Sequence, residues 1–126
     1  MRMKRALARC LFLPAWVTSL AGVAAYAAEP VFDLRIENGR LPQNMRVVRV
    51  KQGDAVTLRW TAERPMTLHL HGYDVEKRIE PGEVGAMSFT ARATGRYPVY
   101  AHDARANPDK GAREEAPLLY VEVYPN

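Results

Sequence analysis

The sequence predicts an all-β sandwich of about seven short strands, and three observations predict it. Beyond residue 30 the apolar residues recur mostly at every second position, the period of a strand with one buried face. The punctuation between those runs is Asn-Gly, Gln-Gly-Asp, Glu-Pro-Gly and Ala-Thr-Gly, residues that turn a chain rather than continue a helix. The turn signals return about every 8–12 residues, the rhythm of an antiparallel or mixed sandwich.

Taken in order, Phe32, Leu34 and Ile36 share one face of a first strand that Asn38-Gly39 ends. Val48 and Val50 line the second. Gln52-Gly53-Asp54 turns the chain into a third, in which Val56, Leu58 and Trp60 alternate with Thr57 and Arg59. Met66, Leu68 and Leu70 form the inner row of a fourth strand reaching His71. After the turn Glu80-Pro81-Gly82, Met87 and Phe89 face inward, and Ala93-Thr94-Gly95 leads into a strand from Arg96 to His102. Residues 103–117 are polar, charged and rich in alanine, with Pro108 and Gly111, and read as one long loop of the functional or mobile kind. Leu119, Val121 and Val123 alternate with Tyr120, Glu122 and Tyr124 in a final strand.

The N-terminus carries a different signal. Arg2, Lys4, Arg5 and Arg9 precede an apolar run from Leu11 to Ala28 that ends in Ala25-Tyr26-Ala27, the pattern of a cleaved export signal over residues 1–27. The mature domain is then 28–126, placed in the periplasm or secreted, with no membrane attachment once the signal is removed. Four of the 18 basic residues and none of the 14 acids lie before residue 28, so the domain itself is neutral. The high pI belongs to the leader and is no argument for nucleic acid as a partner. Cys10, the single cysteine, also lies in the leader. The domain therefore has no disulfide, no thiolate nucleophile and no thiolate metal ligand.

Three histidines carry the chemistry that remains: His69, His71 and His102. His69 and His71 stand two residues apart on one strand, so both project from the face opposite Met66, Leu68 and Leu70. Neutral imidazole is the usual protein ligand for Cu(II) and Zn(II), and two imidazoles at this spacing can converge on one ion. His102 would supply a third nitrogen if its strand end lies beside Gly72. The plain alternative is a solvated histidine pair and a histidine that caps loop backbone. Asp74 is either a carboxylate that orients an imidazole or a turn aspartate bonded to its own backbone. Asp103, Asp109, Glu114 and Glu115 offer oxygen donors or merely make the long loop soluble. Tyr97, Tyr100, Tyr120 and Tyr124 cover the ends and faces of the sandwich. Neither Ser19 nor Ser88 sits in a nucleophile elbow, and no glycine-rich phosphate loop occurs. The expectation is a protein that is not an enzyme.

The succession Val50 to Leu58, Leu68-His69-Leu70-His71-Gly72-Tyr73-Asp74, Glu80-Pro81-Gly82-Glu83, Phe89-Thr90-Ala91, Thr94-Gly95-Arg96-Tyr97 and Leu119 to Val123 resembles a small exported cupredoxin-like domain. The resemblance implies a cupredoxin-like Greek-key β-sandwich, copper at one end of the barrel, a mid-chain histidine ligand matched by His71 or His69, and a loop between the last two strands carrying Cys, His and Met. Here the chain departs from the pattern: beyond Tyr97 it has His102 but no cysteine, no second histidine and no methionine. A blue-copper centre needs the thiolate, so electron transfer through such a centre is excluded. Two expectations remain. In the first, His69, His71 and His102 bind copper, Cu(II) before zinc, for storage, delivery or protection. In the second, a metal-free accessory domain keeps only the scaffold and meets a periplasmic protein partner.

Overall fold

The structure, a computed structural model, describes residues 22, 26–103 and 116–126. The leader expected over residues 1–27 falls largely outside the described residues, as do residues 104–115 of the long loop. Among the described residues, eight strands form two sheets: β1 (Val31–Ile36), β2 (Val47–Lys51), β3 (Ala55–Ala62), β4 (Met66–Leu70), β5 (Val75–Ile79), β6 (Gly85–Thr90), β7 (Gly95–Asp103) and β8 (Leu119–Tyr124), with one 3-10 turn at Gln43–Met45. One sheet has the order β1-β3-β6 and the other β2-β8-β7-β4-β5. The pairs β1–β3 and β2–β8 are parallel and the rest antiparallel, so this is a mixed Greek-key sandwich.

The two inner faces are built from the alternating rows that the sequence marks. Leu34, Ile36, Val56, Leu58, Trp60, Met87 and Phe89 face Val48, Val50, Met66, Leu68, Leu70, Val99, Leu119, Val121 and Val123 across one core. Burying such side chains contributes about 1.5–3 kcal/mol each for the larger ones, and with no disulfide in residues 28–126 this core is the main source of stability. Where β6 faces β5 the packing is tight: a methyl group added at Gly85 would collide with the Ile79 side chain. Gly85 also pairs with Trp60, so the missing side chain lets Ile79 fill the space beside the indole.

β5 is the strand beyond the expected seven. Its three central residues, Glu76, Lys77 and Arg78, are all exposed, because an outermost strand has one poorly covered face and no alternation to betray it.

Turn chemistry fixes the registers. Asn38 and Gly39 both take left-handed angles, φ 51° and 72°, and Glu37 and Arg40 exchange hydrogen bonds around them, a two-residue turn that only such residues make easily. Asp54, the one buried charged residue among those described, accepts the Lys51 N–H on its carboxylate at 2.9 Å. Its backbone carbonyl accepts from Ala91 N–H at 2.9 Å, tying the β2–β3 turn to the loop after β6.

On the outer face of the larger sheet, Arg49, Glu122 and Arg96 lie side by side on β2, β8 and β7. The Tyr124 hydroxyl donates to the Glu122 carboxylate at 2.7 Å, and the two guanidinium groups flank it at 3.3 and 3.7 Å. The tyrosine hydrogen bond first, and with it the two arginines, hold the Glu122 carboxyl below the usual carboxylate range, overcoming an opposing effect of burial that ranks next after the tyrosine bond. A lowered folded-state pKa stabilises the fold above the unfolded-state value, and that stability disappears as pH falls through the folded-state value. The urea midpoint of Glu122→Gln should therefore trail the parent most near neutrality, and the gap should close below about pH 4; a gap that does not depend on pH removes this assignment.

Candidate metal site

The site begins with the alternation of β4. Met66, Leu68 and Leu70 point into the core, which leaves Thr67 and His69 on the outer face. β4 ends at Leu70, yet the His71 N–H still donates to the Pro98 carbonyl of β7 at 3.0 Å. That single bond carries the register one residue past the strand and holds His71 on the same face as His69. The two imidazole centroids are 4.4 Å apart with the rings at 61°. Tyr100, which pairs with His69 across the β4–β7 ladder, packs edge-on against His71 at 4.9 Å, so the two histidines and the tyrosine form one cluster.

The β4–β5 turn then divides its side chains between two faces. Gly72 and Asp74 take left-handed angles, φ 88° and 53°, and the reversal brings Asp74 back over the histidine face. Its carboxylate oxygen is 3.7 Å from His69 Nε2, beyond hydrogen-bond length. Asp74 is fully exposed, whereas His69 keeps about 25% of its side-chain surface in solvent. Tyr73, between them, goes the other way and packs on Phe89 and Tyr97 at 4.8 and 4.7 Å. The Tyr73 and Tyr97 hydroxyls both donate to the Ala93 carbonyl, at 3.3 and 3.0 Å, which anchors the turn to the β6–β7 loop. Burial, and then its neighbour Tyr73, raises the pKa of the Tyr97 hydroxyl, which keeps it a donor.

His102 is on the same outer face, two residues along β7 from Tyr100, but at the other end of the ladder. It pairs with Thr67, while Pro98 stands beside His71. The condition set for a third nitrogen, a β7 end beside Gly72, is therefore not met. An antiparallel register sends the end of β7 toward the start of β4, so His102 is a diagonal neighbour of His69 and remote from His71. The loop between the last two strands leaves β7 at Asp103, opposite Met66, and re-enters β8 at Leu119, which pairs with Val99, the β7 partner of Leu70. Among the described residues, no group of three or more His, Cys, Asp or Glu side chains converges as a metal site would require. The donors present do not fit blue copper. A pair of imidazoles does fit the nitrogen preference of Cu(II), as half of a tetragonal donor set.

Tyr100 is the member of the cluster that residue-by-residue reading leaves as mere surface cover. The signal for it is the spacing Tyr100-x-His102, the same two-residue step as His69-x-His71.

No protein-family model matches the chain, and no curated relative does. Solved structures do. A copper binding protein determined by NMR in the apo form aligns over 80% of this chain and 93% of its own with a TM-score of 0.59 and 8% identity. Auracyanin A, a blue copper protein from the green thermophilic photosynthetic bacterium Chloroflexus aurantiacus, aligns over 79% of this chain and all of its own, with a TM-score of 0.51 and 14% identity. The blue copper oxidase of Nitrosomonas europaea aligns over 78% of this chain, with a TM-score of 0.59 and 22% identity, but only 39% of that protein is covered. The fold is a cupredoxin-like Greek-key β-sandwich. Its likeness to the oxidase extends to less than half of that enzyme.

Proposed function

We propose that this is an exported, periplasmic cupredoxin-like protein that binds Cu(II) through histidines, with no thiolate, and serves in storage, delivery or protection. The observation that carries the reading is the contact of His69 and His71 on a solvent-facing strand surface, with centroids 4.4 Å apart. The leader over residues 1–27 supports export, and the copper-binding proteins that share the fold support the choice of metal. In this site His69 is the anchored ligand, half-buried between its ladder neighbours Glu76 and Tyr100. His71 is the accessible one, positioned by its backbone bond to Pro98 and by the Tyr100 ring. Copper held this way supplies a reservoir of Cu(II) that an incoming donor can reach, and two imidazoles without a thiolate favour that oxidation state. Zinc is the weaker alternative occupant.

Titrating the purified protein with Cu(II) under EPR should show nitrogen coordination. His71→Ala should weaken binding by at least about tenfold, and His102→Ala should leave the spectrum unchanged. A spectrum unaltered in His71→Ala removes the site.

A second reading, a metal-free accessory domain that meets a periplasmic partner protein, is favoured by the lack of a three-donor cluster among the described residues. A partner complex that survives a strong chelator would support it, and a complex that dissolves on chelation would count against it.

A further inference from the structure

Resting on that reading, we infer that the His69–His71 pair is half of a metal site and that a second copy of this chain supplies the other half, one Cu(II) bridging two molecules through four imidazoles. Cu(II) in nitrogen and oxygen surroundings favours four donors near one plane. Among the described residues one molecule brings two nitrogen donors: His69 and His71 are in ring contact, and His102 is held away from His71 by the pairing of His102 with Thr67. The deficit of two nitrogens equals what one more copy of the same surface offers. A two-fold pairing of identical patches meets that need in a closed assembly, with each copy giving and receiving the same contact.

The surroundings of the pair permit the approach. His71 lies past the end of β4, on an exposed turn, and the next residue is Gly72, which has no side chain to overhang the ring. The charges near the pair favour a cation: Asp74 lies 3.7 Å from His69 Nε2, and Glu76 pairs with His69 on β5. Two copies facing one another would set four carboxylates around a doubly charged ion. Residues 28–126 carry no net charge, so no overall repulsion opposes self-association.

Sedimentation velocity of the purified protein across a Cu(II) titration tests this directly. The expected result is a monomer without metal, with the dimer fraction rising to a maximum at half an equivalent of Cu(II) per chain. At that point EPR should report four nitrogen donors. Beyond one equivalent the dimer should fall away, because each pair then takes its own ion; nonspecific precipitation by copper has no such maximum. EDTA should restore the monomer, and His71→Ala, an exposed position whose folding circular dichroism verifies, should stay monomeric throughout. A monomer that takes up one Cu(II) per chain overturns the bridged dimer and leaves the histidine site standing. Copper uptake no greater than that of a His69→Ala/His71→Ala variant overturns both. A dimer that forms without metal and persists in EDTA also overturns the bridge.

Discussion

Trp60→Ala should cost about 3–5 kcal/mol of folding stability, the usual range for truncating a buried aromatic. Trp60 is fully buried at the centre of β3, between Leu34 on β1 and Gly85 on β6. Its neighbours cannot follow the retreating side chain, because Ile79 already occupies the space that Gly85 leaves open. For a domain whose whole stability is about 5–15 kcal/mol, that loss is a large fraction. The indole also carries a burden, since among the described residues Nε1 is buried without a hydrogen-bond partner, and an orphaned donor costs about 1–3 kcal/mol. Trp60→Phe deletes that donor while retaining most of the ring, so its stability should lie within about 1.5 kcal/mol of the parent. Urea melts of the two variants decide the matter: if Trp60→Phe falls as far as Trp60→Ala, the unpartnered N–H is not a burden and only shape matters.

Gly72→Ala should lose about 2–4 kcal/mol by two separable causes, backbone strain and collision. At φ 88° a side chain is strained whatever its surroundings, and an added methyl group would sit 2.5 Å from the Tyr97 ring. Gly82 is the internal control: its φ is 81°, with none of the described residues within 4 Å of an added methyl group. Gly82→Ala should then lose only the strain, about 1–2 kcal/mol. Equal losses at the two positions would show that the Tyr97 ring yields freely, and that the anchoring of the histidine turn through Tyr73 and Tyr97 is looser than the packing implies.

The inner rows of the sandwich were legible because a half-buried strand leaves a period of two, and from Leu34 to Val123 the residues so marked are the buried ones. Phe32, at the start of β1, is covered only in part. β5 was not legible: Glu76, Lys77 and Arg78 are exposed alike, and only Val75 and Ile79 at its ends touch the core. At the candidate site, alternation identified the shared face of His69 and His71, and the lack of a cysteine in residues 28–126 excluded a thiolate centre. What alternation leaves open is register, which decides which residue on a neighbouring strand a side chain meets. His102 illustrates the difference. Its face follows from its own strand, but its place opposite Thr67 depends on how β7 pairs with β4, and a matching residue type in a related fold carries no such information.

The place of β8 has a consequence for how the molecule comes into being. It is the latest of the eight strands to leave the ribosome, yet it lies between β2 and β7, hydrogen-bonded on both sides. Until it emerges, β2 has no neighbour in its sheet, and the valines of both strands remain wet. The larger sheet therefore cannot close around its centre until β8 has emerged, whatever the rest of the chain has already formed.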